Sequence, residues 1–262
     1  MEKELWYRLR NSILITLSVY CGFEWVVFHI ISQAYQFSVL FYFVFVTIQI
    51  LFHIGIYIFL SISKNFFYLV DTKETLNKVN LANKITLLRI SMLPSLVFLI
   101  IAIKQYPVGS VLLSAIGLTF ITDLIDGRIS RSFHQVTFIG KVLDSVSDYS
   151  LLLVIGIAYF IYELIPLWLF TAILVRLLFQ AFGMLVLLIK HKSVEPKPTI
   201  VGKITVASIM IIFALEPLKL VFAQNVKATL GIIELLVCII VYLSLLDKAW
   251  YFYKQGILKR AQ

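Results

Sequence analysis

Four aspartates lie close together in stretches that are otherwise strongly apolar. They form two pairs, Asp123 with Asp126 and Asp144 with Asp148. Because residues three or four positions apart share one face of a helix, each pair would present both carboxylates in one direction. A carboxylate inside a membrane is costly unless a counter-charge or a metal ion offsets it. Two facing pairs therefore predict a divalent-cation site, and their oxygen ligands suit Mg²⁺, Mn²⁺ or Ca²⁺ rather than zinc.

Polar side chains that suit a phosphate ligand lie at the same predicted depth as these acids. They are Asn83, Thr86, Arg89, Arg128, Arg131 and Lys141. For any one of the arginines alone, contact with lipid headgroups is the simpler interpretation. Arginine also binds phosphate oxygens in a bidentate manner, so arginines beside acids indicate a phosphorylated ligand. Gly127 and Gly140 have no side chain, which admits either a substrate or a neighbouring helix.

The elements that must position these residues are membrane-spanning helices. The 262 residues are 61% hydrophobic and only 14% charged, whereas a soluble domain has about a quarter charged residues. The apolar runs are about 20 residues long, which predicts an all-α, polytopic membrane helix bundle. Eight spans are expected, at about 11–32, 37–62, 85–103, 108–126, 138–165, 167–189, 204–222 and 228–246. The net charge of +9 does not indicate nucleic-acid binding, because no basic block with interleaved aromatic residues is present.

The basic residues predict the orientation of the chain in the membrane. Most of the 23 lysines and arginines fall on one side if both termini are cytoplasmic, which also places both aspartate pairs at the cytoplasmic ends of their helices. We expect three regions: a two-helix extension (1–70), an interfacial amphipathic segment (71–84) and a six-helix core (85–255). The longest polar connection, 63–84, is expected to form an amphipathic helix on the membrane surface, and 247–262 a short basic helix.

The spacing of the acids resembles the motif of a known enzyme family. The pattern D-x2-D-G-x3-R-x8-G-x3-D-x3-D, from Asp123 to Asp148, is similar to the defining motif of the CDP-alcohol phosphatidyltransferases. The chain has Ser130 where the family usually has alanine. The run NKITLLRISMLP, which begins at Asn83, also resembles the first core helix of the family. The resemblance extends from about Asn83 to Tyr253 and leaves out the first two spans.

The resemblance implies an integral membrane enzyme that is active as a homodimer and uses two Mg²⁺ or Mn²⁺ ions. It implies that Asp123, Asp126 and Asp144 are metal ligands, and that Asp148 is both a ligand and the base for the attacking hydroxyl. A carboxylate beside a metal is a weak base, so Asp148 is expected mainly to orient that hydroxyl. The positions expected to bind the CDP moiety are Asn83, Thr86, Arg89, Gly127, Arg131 and Thr137.

The acceptor alcohol is left open by the sequence. Arg176 lies near the middle of a span, where an arginine is a candidate for a functional site. With Lys141 and Lys203 it is expected to bind an acceptor phosphate, and the structural alternative is an ion pair with Glu24, Glu234 or another acid. Several segments resemble phosphatidylglycerophosphate synthases, which favours glycerol 3-phosphate. Ser145 and Tyr149 depart from that branch, so inositol phosphate and serine remain alternatives.

Two other classes of protein compete with a phosphatidyltransferase. Buried carboxylates also mark ion or proton transporters, but a transporter would be expected to spread its acids through the membrane. An inactive relative of the enzymes is disfavoured because all four aspartates are present.

Overall fold

The computed structural model describes residues 3–132, 136–190, 199–221 and 226–258. Within these ranges, it does not describe the side chains of 123–124, 126–132, 181, 183–190, 220–221, 251–252 and 254–258. The described chain is all-α, as predicted, and its β-type pairing is limited to two isolated bridges. The helices are α1 (Lys3–Tyr35), α2 (Val39–Ile62), α3 (Leu81–Ser91), α4 (Leu93–Ala102), α5 (Gly109–Ser132), α6 (Phe138–Ile161), α7 (Leu167–Lys190), α8 (Ile200–Leu215), α9 (Leu218–Val221) and α10 (Lys227–Leu258).

Five of the described helical segments are long and apolar enough to cross a membrane. They are Lys3–Tyr35, Val39–Ile62, Leu81–Ala102, Phe138–Ile161 and Lys227–Trp250. Three shorter apolar helices lie at Gly109–Thr122, Leu167–Gln180 and Ile200–Leu215. These eight segments correspond to the eight predicted spans. Their large apolar side chains are often exposed, which suits contact with lipid rather than water.

The third span is divided at Met92 into α3 and α4. Pro94 follows in the first turn of α4 and has no N–H to donate to the carbonyl four residues earlier. The helix is therefore interrupted there, although Met92 itself keeps a right-handed helical conformation. Asn80 caps the start of α3 by accepting a hydrogen bond from the Asn83 N–H, so this span begins at Leu81 rather than at residue 85.

The contacts divide the chain into two compact units within α6. The N-terminal unit is Met1–Leu151 and the C-terminal unit is Leu152–Gln262. In the N-terminal unit, α1 and α2 pack against α3 and α4. The hydroxyl of Tyr20 donates to the Lys84 carbonyl, and that of Ser95 donates to the Glu24 carboxylate. These polar contacts join α1 to α3 and α4, while the predicted domain boundaries stay a prediction.

In the C-terminal unit, α10 packs against α7 and α8. The Tyr159 hydroxyl of α6 donates to the Phe213 carbonyl of α8 at 2.8 Å, and the rings of Phe160 and Phe170 stack. The described part of the predicted helix at 247–262 is helical, but it is a continuation of α10, which runs without interruption to Leu258.

The prediction of an amphipathic helix between residues 63 and 84 was also wrong. The chain forms a short 3-10 turn at Lys64–Phe66, reverses direction between Phe67 and Leu76, and becomes α-helical only at Leu81. Lys73 adopts a φ of 60°, which a continuous right-handed helix does not accommodate. We call Phe67–Leu76 the hairpin.

Candidate active site

Arg89 joins the two acidic residues of α6. One guanidinium nitrogen of this arginine lies 3.1 Å from Asp144 Oδ1, and another lies 3.1 Å from Asp148 Oδ1. The carboxylates lie on one face of α6 because they are four residues apart, and the planar guanidinium spans both. Arg89 is fully buried, whereas the side chain of Asp144 is 52% exposed and that of Asp148 is 22% exposed. The acidic pair therefore has buried positive charge on one side and an open approach on the other.

The beginning of α6 forms a junction with α3. Thr137 caps this helix, because its hydroxyl accepts from the Gly140 N–H at 2.9 Å. The same hydroxyl donates to Asn83 Oδ1 on α3 at 3.0 Å. A Cβ on Gly140 would lie 2.5 Å from Asn83 Oδ1 and 2.6 Å from Thr137 Oγ1, so this glycine is required by close packing between α3 and α6.

Asn83 also carries a buried donor at this junction. Within the described part of the chain, its Nδ2 has no hydrogen-bond partner. The predicted nucleotide-binding residue Thr86 is buried one turn further along α3, where its hydroxyl donates to the Ala82 carbonyl. Asn83, Thr86, Arg89 and Thr137, all predicted site residues, thus lie on or against α3, next to the acids of α6.

The described carboxylates fit a divalent cation. Asp144 and Asp148 offer hard oxygen ligands on one helix face, and both are partly exposed. Asp123 and Asp126 lie on α5, but their side chains are not described, and neither are those of Arg128 and Arg131; Gly127 falls in the same stretch. No group of three or more potential metal-binding side chains occurs among the side chains that are described. The four-aspartate metal site therefore stays a prediction.

Arg176 is the centre of a cationic cluster in the C-terminal unit. It is 1% exposed; its Nε donates to Ser244 Oγ at 3.2 Å, and an Nη donates to the Gly202 carbonyl at 3.4 Å. Lys248 is also buried, with its Nζ 3.7 Å from the position that a Cβ on Gly202 would occupy. Lys248 has no signal in the sequence that predicts this role, because its position beside Gly202 depends on the packing of α10 against α8.

The other two cations predicted to bind an acceptor phosphate are in a different environment. Lys141 and Lys203 both have exposed side chains, on α6 and α8 respectively. The proposed role of these two lysines is therefore supported only by their charge and their position in the sequence. Arg176, by contrast, is buried and held by hydrogen bonds.

The structural alternative for Arg176 was an ion pair with Glu24, Glu234 or another acid; of these, Glu24 and Glu234 have other described partners. Glu24 accepts from Ser95 within the N-terminal unit, and Glu234 is bound by Lys219. Lys219 also lies 2.6 Å from a Glu216 carboxylate oxygen and donates to the Leu164 carbonyl at 2.7 Å. This ionic cluster joins the C-terminal end of α8 to α9 and α10. It explains Glu234 as a structural residue.

Comparison with known proteins identifies the family to which this chain belongs. Residues 79–246 match the CDP-alcohol phosphatidyltransferase family. Because the match covers more than half of the 262 residues, the chain belongs to this family of membrane-bound transferases of phospholipid synthesis. The predicted family is confirmed.

Two curated relatives are similar to part of the chain. The cardiolipin synthase (CMP-forming) of Streptomyces coelicolor is 29% identical over 107 residues, which are 39% of this chain and 47% of the relative. The CDP-diacylglycerol–glycerol-3-phosphate 3-phosphatidyltransferase of Bacillus subtilis is 33% identical over 110 residues, which are 37% of this chain and 56% of the relative. The chain thus spans about half the length of the curated relatives it matches.

Proposed function

We propose that the protein transfers a phosphatidyl group from CDP-diacylglycerol to glycerol 3-phosphate and releases CMP. The observation that carries this proposal is the contact of buried Arg89 with both Asp144 and Asp148, within the family's motif. This arrangement combines carboxylates for a metal with a cation for phosphate, in a location that remains partly open. The reaction would take place at the cytoplasmic end of the helices, with both termini cytoplasmic.

The donor's pyrophosphate would bind between α5 and α6. Asp123, Asp126, Asp144 and Asp148 would hold one or two Mg²⁺ or Mn²⁺ ions. A bound divalent cation would neutralise the pyrophosphate and stabilise the departing phosphate oxygen. Arg89 and Arg131 would bind phosphate oxygens, while Asn83, Thr86, Gly127 and Thr137 would contact the rest of the CDP moiety. The buried Nδ2 of Asn83 offers a donor that a ligand oxygen would satisfy.

Asp148 would orient the acceptor hydroxyl and receive its proton. Its side chain is partly exposed, and Arg89 holds it from the buried side. The hydroxyl oxygen forms a bond to the phosphorus of the phosphatidyl group while the bond from that phosphorus to the CMP oxygen breaks. Asp148 thus needs to accept a proton only as the attack proceeds, which is compatible with a carboxylate of low basicity.

A phosphorylated acceptor is favoured by the C-terminal cationic cluster. Arg176 and Lys248 are buried close to Gly202, and Lys203 is the next residue of α8. Two buried cations would suit the phosphate of glycerol 3-phosphate better than the zwitterionic head of serine. The name of the Bacillus subtilis relative specifies the same acceptor. Inositol phosphate would satisfy the same charges, and the Streptomyces coelicolor relative adds cardiolipin formation as a second candidate activity.

A reconstituted reaction tests the proposal. The purified protein is incubated with CDP-diacylglycerol, Mg²⁺ or Mn²⁺ and one acceptor, while CMP is measured and the lipid product is identified by mass spectrometry. The acceptors are glycerol 3-phosphate, inositol phosphate, serine and phosphatidylglycerol. CMP release should be greatest with glycerol 3-phosphate, disappear with EDTA and return with excess Mg²⁺ or Mn²⁺. Preference for another acceptor would overturn the substrate proposal, whereas absence of CMP under every condition would favour the transporter alternative.

A further inference from the structure

The hairpin is built from its own backbone hydrogen bonds. The Leu69 N–H donates to the Glu74 carbonyl at 2.9 Å, and the Leu76 N–H donates to the Phe67 carbonyl at 2.8 Å. Tyr68 and Thr75 form an antiparallel bridge between these bonds. The positive φ of Lys73 closes the turn. This segment is therefore a defined structural element, and it precedes residue 79, where the family match begins.

The outer edge of the hairpin pairs with the residues that lead into α6. The Val70 N–H donates to the Val136 carbonyl at 2.9 Å, and the Phe138 N–H donates to the Tyr68 carbonyl at 3.1 Å. Leu69 and Thr137 form the bridge between them. Since a slip of one residue would reverse which side chains face the core, this pairing fixes the direction in which Thr137 points.

Aromatic packing strengthens the same contact. The rings of Tyr68 and Phe138 are stacked, with their centroids 5.5 Å apart and an angle of 16° between the planes. Phe66 contacts Phe138 as well, at 5.1 Å between centroids. Phe67 is 1% exposed, so the base of the hairpin is buried. The start of α6 is consequently held by both backbone and side-chain contacts from outside the family-matched region.

We propose that the hairpin is a positioning element of the active site, with Tyr68 as its principal positioning residue. It fixes Thr137, which caps α6 and donates to Asn83, and it thereby sets the α3–α6 junction that receives the CDP moiety. This inference rests on the proposed function for its substrate. It also gives the N-terminal extension a role, because α2 leads directly into the turn before the hairpin and Ser12 of α1 accepts from the Val79 N–H that follows it.

Two substitutions at Tyr68 separate positioning from simple structural support. Y68A removes the ring that stacks on Phe138, whereas Y68F retains it, since the described contacts of Tyr68 use its ring and backbone. In the purified full-length protein, Y68A should raise the KM for CDP-diacylglycerol about five- to tenfold, in line with the loss of an aromatic pair. The KM for glycerol 3-phosphate should stay within about twofold of the wild-type value. Y68F should restore wild-type kinetics.

Hydrogen exchange provides a readout that does not depend on catalysis. The amides of Gly140 and Lys141, which donate to the Thr137 hydroxyl and carbonyl, should exchange faster in Y68A than in wild type. Amides of α10 serve as the internal control and should be unchanged. If Y68A does not fold, Y68L keeps apolar bulk without the stacked ring and is measured in the same way.

The outcomes distinguish this inference from the proposed function. Wild-type protein that releases no CMP, together with faster exchange at Gly140 in Y68A, would overturn the proposed function but retain the hairpin's structural coupling to α6. Active wild-type protein with unchanged donor KM and exchange in Y68A would overturn the positioning role. An equal rise in both KM values, with faster exchange throughout the protein, would also overturn it, because the hairpin would then support the fold in general.

Discussion

The protein has two polar clusters, which lie in different compact units. The first combines one arginine with two carboxylates, whereas the second contains two cationic side chains. In the N-terminal unit, buried Arg89 is matched by two partly exposed carboxylates. In the C-terminal unit, the described hydrogen bonds of buried Arg176 are to a hydroxyl and a backbone carbonyl, and a second buried cation, Lys248, is close by. Both arginines are surrounded by apolar helices, so their different partners indicate different tasks.

The charges of each cluster determine what it is able to bind. Carboxylates that already face an arginine can accept a further cation on their exposed side, which suits a metal and its attached pyrophosphate. Arg176 and Lys248 place two buried cationic side chains close together, and such a cluster suits an anion such as a phosphate. We therefore propose that the first cluster binds the donor and that the second binds an acceptor phosphate.

The largest effect is expected at Asp148. Asp148→Asn keeps the size of the side chain but removes both the charge and the proton acceptor, so CMP release should fall by about 10²- to 10⁴-fold. Thermal unfolding in detergent should change little, because Arg89 keeps Asp144 as a partner. Ser145→Ala is a suitable control: Ser145 is exposed, and its hydroxyl donates only to the Lys141 carbonyl among its described contacts. A wild-type rate in Asp148→Asn would remove this residue from the mechanism.

A smaller and more selective effect is expected at Arg176. Arg176→Gln should raise the KM for glycerol 3-phosphate about 10- to 100-fold, the usual effect of losing a hydrogen bond to a charged group. The KM for CDP-diacylglycerol should change much less. Lys203→Gln provides a comparison on α8, and its exposed position predicts a weaker effect.

Lys248→Met tests whether the second buried cation belongs to the same acceptor site. Its effect and that of Arg176→Gln should be non-additive in the double variant, since residues that bind one group are coupled. The assignment of the cluster to the acceptor would be wrong if Arg176→Gln raised both KM values equally.

Glycines in the two clusters allow a comparison of packing. An alanine at Gly140 would bring its Cβ within 2.6 Å of both Asn83 Oδ1 and Thr137 Oγ1, and we expect it to destabilise the protein by about 1–3 kcal/mol. At Gly202 the nearest atom to such a Cβ is Thr199 Oγ1 at 3.0 Å, so the loss should be smaller. Gly231→Ala meets nothing within 4 Å and serves as the control. Thermal unfolding of the three variants in one detergent measures the order, and an equal loss at Gly140 and Gly231 would contradict the close α3–α6 packing.

The sequence predicted the parts of the site that depend on local spacing. That Asp144 and Asp148 share a face follows from their separation of four residues. Their partner Arg89 is 55 and 59 residues away; the sequence predicted that it lies at the same depth as the acids but not that it contacts them. The contact of Lys248 with Gly202 depends similarly on packing between distant helices, for which the sequence offers no local signal.

The structure of the hairpin was predicted wrongly for a different reason. The segment from 63 to 84 mixes charged and apolar residues, a composition that is compatible with an amphipathic helix. Its structure is instead determined by a turn at Lys73 and by pairing with Val136 and Phe138, more than 60 positions later. Composition alone does not indicate a backbone pairing between distant segments, and for this reason the helix prediction was wrong.

The smallest effect is expected from pH, in the ionic cluster of Glu216, Lys219 and Glu234. Burial raises the pKa of the Glu216 carboxyl from its usual 4.5 to about 7, although Lys219 partly opposes this shift. The folded protein therefore binds this proton more tightly than the unfolded chain does. Its contribution to stability is present below about pH 4.5 and is lost as the pH rises to about 7.

Thermal unfolding temperatures measured between pH 5 and pH 8 should accordingly include a decline that Glu216→Gln removes, since glutamine does not titrate. Asp148→Asn serves as the matched control for this slope, because it alters a carboxylate in the other cluster and leaves the Glu216 contacts in place. An identical slope in wild type and Glu216→Gln would show that Glu216 does not hold a proton in this range. The cluster would then be fully ionised throughout this range, and Glu216 would contribute nothing to the pH dependence of stability.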